Sequence, residues 1–238
     1  HEGGVRQGGH HRWKHRRCHT HLQQSGEKPV VGDHQNFAEG FEDYAHITHF
    51  LDGETTAFSS GDIGRLYWNK VKSLKRNVLY IKPRTLLMLD TAVPSDSDAD
   101  VTLLYNTLRL GDITAGDDVS TISKDGTTLH IKHLFPDHMK IESVETPHYL
   151  FTLRNEKPLV KEGMLTVTAR TDRRPLVMAN LLTTTRGAEP AVECVAGDGY
   201  MSGTANGTPF AFSTDPGKVY DYDGILTDAA AVTNGGGQ

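Results

Sequence analysis

The sequence predicts an all-β fold: a large, multi-stranded antiparallel β-sandwich with no substantial helical domain. Three observations lead there. Short β-rich runs recur at regular spacing along the chain, turn dipeptides separate them, and the apolar runs are too short for ordinary helices. With 37% hydrophobic and 23% charged residues, 24 Gly and 10 Pro among 238 residues, the composition suits a turn-rich globular protein. No apolar stretch reaches membrane-spanning length, so no membrane partner is expected.

Residues 1–45 read as an irregular, basic, His-rich arm and loop. The first 21 residues carry Arg6, Arg12, Lys14, Arg16, Arg17 and six histidines against Glu2 alone. Phe37, Phe41 and Tyr44 look like aromatic anchors in the loop that follows. The sandwich domain is assigned to 46–225, with a frayed tail at 226–238.

From His46 the texture changes. HITHFL, TTAFSSGD and GRLYW are β-type segments split by Asp52-Gly53 and Gly61-Asp62. The central element is VKSLKRNVLYIKPRTLLMLD, Val71 to Asp90. Its apolar runs, Val78 to Ile81 and Leu86 to Leu89, flank Lys82-Pro83-Arg84-Thr85, which predicts a tight hairpin. Neither run alternates cleanly between polar and apolar, so both strands are expected to bury side chains on both faces of a layered structure. Beyond it, VTLLYNTLRL, TTLHIKHLF, HMKIESV, HYLFTLR, MLTVTAR, PLVMANLLTTT, AVECVA and TPFAFST continue the series, with Asp125-Gly126 as a further turn.

Several chemistries lack their marks. The chain has no phosphate-binding GxxxxGK[ST], no GxGxxG, no GxSxG, no HExxH and no EF-hand loop. The formal net charge of −5, and a basic arm that no aromatic-studded basic sheet accompanies, speak against nucleic acid as a partner. The two cysteines, Cys18 and Cys194, lack CxxC spacing, and their pairing is open.

The histidines carry the remaining chemistry. His19 and His21 share one face of an extended strand, where two imidazoles suit a metal or an anion; a solvated arm is the competing reading. His46 with His49, and His130 with His133, read as surface-strand residues. Lys75-Arg76 and the Lys82 to Arg84 segment flank the hairpin, where they either grip a carboxylated sugar or serve as solvated strand ends. His1, with its free amine and a second imidazole, is the starting point for a secreted copper protein.

The run from Phe50 to Asp90 resembles the β-sandwich part of heparinase II/III-like polysaccharide lyases. Gly61-Asp62, Tyr67, Arg76, Lys82-Pro83 and Asp90 follow in the family's order, and the resemblance extends over roughly residues 46–185. Upstream, CHTHLQQSGEKP places His19 seven residues before Gly26-Glu27, in register with the family's AHNT motif, with Thr20 where the family has Asn. The 238 residues hold no helical repeat of the α/α toroid kind that normally precedes the sandwich, so the resemblance implies either a detached sandwich domain or a minimal enzyme.

The resemblance implies β-elimination on a uronic-acid-containing polysaccharide, outside the cell or in the periplasm. It implies His19, Tyr67 and Arg76 as catalytic residues, with Tyr44 as another proton carrier, and His21, Lys82 and Arg84 as substrate-binding residues. It also implies a divalent metal, zinc or calcium, at His19 and His21. The expected partners are an acidic polysaccharide and either a missing toroid or a second copy covering the sandwich. A non-catalytic carbohydrate-binding or scaffolding sandwich is the alternative, and Tyr67 then is an ordinary core aromatic.

Overall fold

The computed structural model describes residues 20–24, 45–64, 67, 70–95, 98–148, 151–152, 155–156, 160–187 and 192–233. Numbered along the chain, the first ten strands are β1 (Thr20–Gln24), β2 (His46–Asp52), β3 (Thr56–Asp62), β4 (Val71–Ile81), β5 (Thr85–Pro94), β6 (Ala99–Thr107), β7 (Ile113–Thr114), β8 (Val119–Lys124), β9 (Thr127–Phe135) and β10 (Lys140–His148). The rest are β11 (Phe151–Thr152), β12 (Asn155–Glu156), β13 (Val160–Arg170), β14 (Leu176–Thr185), β15 (Cys194–Ala196), β16 (Tyr200–Ala205), β17 (Thr208–Ser213), β18 (Tyr220–Tyr222), β19 (Ile225–Thr227) and β20 (Ala231–Thr233). Every pairing between them is antiparallel, and no α-helix occurs among the described residues.

Three layers result. The middle one is an eight-stranded sheet ordered β2-β3-β4-β5-β14-β9-β8-β7. On one side lies the four-stranded sheet β1-β6-β13-β10, and on the other the four-stranded sheet β15-β16-β17-β20. Two cores fill the gaps. The first joins Leu74, Met88, Ala92, Ile131 and Met178 of the middle sheet to Val101, Leu103, Leu165 and Val167. The second joins Leu79, Ile81, Leu87, Leu89 and Leu181 to Phe210 and Phe212.

This answers why β4 and β5 lack alternation. Met88 and Ala92 enter the first core while Leu87 and Leu89 enter the second, so apolar residues are needed on both faces. Burying each such Leu or Ile is worth about 1.5–3 kcal/mol before entropy is charged. The hairpin turns at residues 82–84, as its sequence predicts, and both its faces are covered by sheets of the chain itself.

Three hairpins turn on an Asx-Gly pair in the left-handed region: Asp125-Gly126 (φ 52° and 73°), Asn206-Gly207 (51° and 75°) and Asp223-Gly224 (53° and 79°). Both central residues having positive φ is the condition for the tight turn that matches strand twist, which Asn and Asp tolerate and Gly adopts freely.

Three expectations are corrected. The described residues of GRLYW, Gly64 and Tyr67, lie in no strand: they and Lys70 have 3-10 geometry, entered where the Asp62 carboxylate accepts the Gly64 N–H at 2.9 Å. The frayed tail does not begin at 226, because β19 pairs with β18, and β20 adds to β17 through Phe210↔Thr233 and its neighbours. His130 and His133 are not surface residues: at 9% and 8% exposure, both are buried in the middle sheet.

Candidate functional site

Residues one apart on β4 point to opposite faces of the middle sheet, and the two faces differ chemically. Arg76 sits on the first-core face, opposite Asp90 in the β4–β5 register. Its Nε donates to Asp90 Oδ1 at 2.7 Å and its Nη2 to Oδ2 at 3.0 Å, a forked pair with exposures of 17% and 1%. The fork that would receive a sugar carboxylate is therefore occupied by Asp90. Tyr67, 7% exposed, packs in the same core beside Val71 and Leu74, the position expected of a structural aromatic.

Further along this face lies a second polar group. The His133 ring bridges Asn180 and Ser120, with Nδ1 2.7 Å from Asn180 Oδ1 and Nε2 2.9 Å from Ser120 Oγ. An amide oxygen only accepts, so Nδ1 carries the proton and Nε2 accepts from the serine hydroxyl. Burial pulls the His133 pKa below the ordinary histidine value, against the opposing effects of the Asn180 hydrogen bond and the Asp118 charge. The arrangement has the order of a nucleophile relay, but Ser120 is fully buried, so no substrate reaches its hydroxyl. It is a neutral packing network.

The other two cationic candidates sit at the hairpin tip. Lys82 donates from Nζ to Asp52 Oδ1 at 2.8 Å and to the Gly53 carbonyl at 2.6 Å, which ties the tip to the β2–β3 turn. Arg84 is exposed and makes no side-chain ion pair among the described residues. From Arg76 to Lys82 is about 20 Å along the strand at 3.3 Å per residue. The structure thus does not bring the predicted cations together. His21 lies on β1, opposite Thr102 in register; His19, Tyr44, Cys18 and His1 lie outside the described residues. Cys194 is half-buried, and desolvation raises its thiol pKa. Among the described residues no group of three His, Cys, Asp or Glu side chains is placed to hold a metal ion.

What sequence reasoning missed is the concavity on the opposite face. A groove of about 1040 Å³ runs along β3, β4 and β5, walled by β2 and by the chain from Ser213 through Thr233. Its floor contains Ser60, Ser73, Lys75, Asn77 and Thr91 beside apolar Phe58, Leu79, Leu89 and Val93, with His49 and Asp52 contributed by β2. The size is that of a ligand pocket, about 300–1,000 Å³ being usual. The available signal was the period: Ser73, Lys75, Asn77 and Leu79 are every second residue of β4, polar at one end and apolar at the other.

No family model matches the chain and no curated protein matches it in sequence. Solved structures do resemble it. A heparan sulfate lyase from Pedobacter heparinus aligns over 68% of this chain with a TM-score of 0.55 and 13% identity, and a mutant of that lyase over 71% with 0.56 and 13%. The chain has a distant heparinase-like fold. A structure of heparinase III, aligned over 72% at a TM-score of 0.53 and 7% identity, shows the same arrangement. The chain covers 26–27% of these proteins, so it corresponds to about a quarter of their length. Among the described residues no helix is long and apolar enough to cross a membrane.

Proposed function

We propose that the chain is the β-sandwich part of a heparinase II/III-type polysaccharide lyase, secreted or periplasmic, that takes a uronic-acid-containing polysaccharide. The observation that carries this reading is the fold likeness to two heparan sulfate lyase structures over about 70% of the chain. The ordered run Gly61-Asp62, Tyr67, Arg76, Lys82-Pro83 and Asp90 supports it independently.

The reaction is β-elimination. A cation or hydrogen-bond donor stabilises the sugar carboxylate, a base removes the C5 proton, and an acid protonates the departing glycosidic oxygen. In this reading His19 is the base, with His21 beside it, and Arg84 is the tip cation that has no ion pair to give up. Arg76 and Tyr67 support the scaffold: one holds Asp90 and the other fills the core. A zinc or calcium ion at His19 and His21 would need further donors, which the described residues do not group together, and no step requires it.

The test is ultraviolet absorbance of the unsaturated uronate formed when the protein meets heparin-like, hyaluronan-like and alginate chains. Rising absorbance supports elimination, and a flat trace across the panel with folded protein defeats it. The short coverage of the lyases favours a second reading, a carbohydrate-binding sandwich without catalysis. Retention on a polysaccharide column without turnover selects it.

A further inference from the structure

The outer face of the β3–β5 region ought to be apolar throughout if its only task were to pack against the third sheet. At Leu79, Ile81, Leu87 and Leu89 it is. Past Leu79 the same face turns polar. Asn77 stands between Ser60 on β3 and Leu89 on β5, and the next row carries Lys75 opposite Thr91.

These polar groups have no internal use. Asn77 is 6% exposed and Ser60 7%, yet neither side chain hydrogen-bonds within the protein among the described residues. Both residues line the groove, and neither has a polar side-chain atom sealed from solvent without a partner, so a bound hydroxyl or carboxylate would take the place of water there. Lys75 likewise has no ion pair among the described residues, although Asp62 is its register partner on β3. One Asp62 oxygen is held by the Gly64 N–H instead.

We propose that this groove is a binding site for an acidic saccharide, in which Lys75 holds the anionic group and Asn77 and Ser60 bind hydroxyls; the acidic class of sugar rests on the lyase reading. Val93, half-buried, lines the groove near them and offers an apolar contact for the C–H face of a sugar ring, while Leu79 and Leu89 belong to the second core beneath. Asp52 and Asp228 also line the groove. Lys82 neutralises Asp52, and Asp228 stands without an ion pair among the described residues. One free lysine against one free aspartate fits a chain in which carboxylates alternate with hydroxyl-rich units better than a densely sulfated polyanion.

The test is isothermal titration of the full chain with a uronate oligosaccharide, a highly sulfated heparin oligosaccharide and a neutral oligosaccharide. Wild-type protein is expected to bind the uronate chain best. Lys75→Ala is expected to weaken that binding tenfold or more, and Asn77→Ala severalfold. Lys161→Ala, an exposed residue paired with Glu145 on the first outer sheet, should leave it unchanged. Uronate binding that is equal in wild type, Lys75→Ala and Asn77→Ala overturns the groove site and leaves the lyase reading standing. Neutral sugar bound as tightly, with Asn77 needed and Lys75 not, overturns the acidic occupant. Neither binding nor elimination with any acidic chain overturns the lyase reading and this inference together.

Discussion

Lys75 and Arg76 are neighbours in one strand, carry the same charge and face opposite ways, and their circumstances could hardly differ more. Arg76 is locked by two hydrogen bonds to a buried aspartate between two sheets. Lys75 is exposed on the groove, with no ion pair among the described residues. The contrast teaches that a basic pair in a sequence is two separate questions in a sheet, since the side-chain period of two sends each residue to a different environment. One face spends its charge on stability, and the other leaves it available.

The largest effect should come from breaking the closed side. Arg76→Ala leaves Asp90 charged and buried, and is expected to cost about 3–5 kcal/mol in urea unfolding. If the loss is below 1 kcal/mol, the buried pair does not define this face. Leu87→Ala, which opens a cavity in the second core, should cost about 2–5 kcal/mol and report whether the third sheet is integral to the fold. Asn180→Ala removes the acceptor of the His133 Nδ1–H and should cost about 1–3 kcal/mol, whereas Asn77→Ala, which breaks no internal hydrogen bond, should cost less. Equal losses would erase the distinction between satisfied and open polar groups. At the small end, Lys75→Ala should stay within about 0.5 kcal/mol of wild type.

His133 sharpens the same comparison through pH. Its folded pKa lies below the unfolded value of 6.5, so at higher pH the ring is neutral in both states and its network is intact. As pH falls below about 6.5 the unfolded chain takes up the proton first, and stability drops until the folded pKa is passed. Unfolding curves between pH 7.5 and 5 should show this loss, and His133→Gln should flatten it. A slope unchanged by the substitution would assign the acid sensitivity to other groups.

Much of the fold was legible because it rests on local signals. The hairpin at Lys82 to Thr85 and the two-sided burial of its strands follow from proline chemistry and from unbroken apolar runs. Asp125-Gly126 was readable as the turn between β8 and β9; Asn206-Gly207 and Asp223-Gly224 carry the same signal for β16–β17 and β18–β19, which sequence reasoning missed. The site was less legible, because its residues are defined by register. Nothing local says that Asn77 will stand beside Ser60, or that the period-two His133 will meet Asn180 across a bulge at Ala179/Asn180. The expected GRLYW strand misled for the opposite reason: at its described residues, Gly64 and Tyr67, β-rich letters lost to an aspartate that turns the chain at Gly64.

The Arg76–Asp90 pair also bears on how the middle sheet finds its alignment. Strands with one apolar face choose their register by hydrophobicity, since a one-residue slip would expose the whole set. β5 is apolar on both faces, so a slip would still bury leucines, and the hydrophobic effect discriminates poorly between the alternatives. A slip would, however, send Asp90 toward the second core and separate it from the only guanidinium of β4. The buried charge pair thus acts as a proofreader of strand alignment, rejecting the misregistered hairpin that the leucines alone would accept.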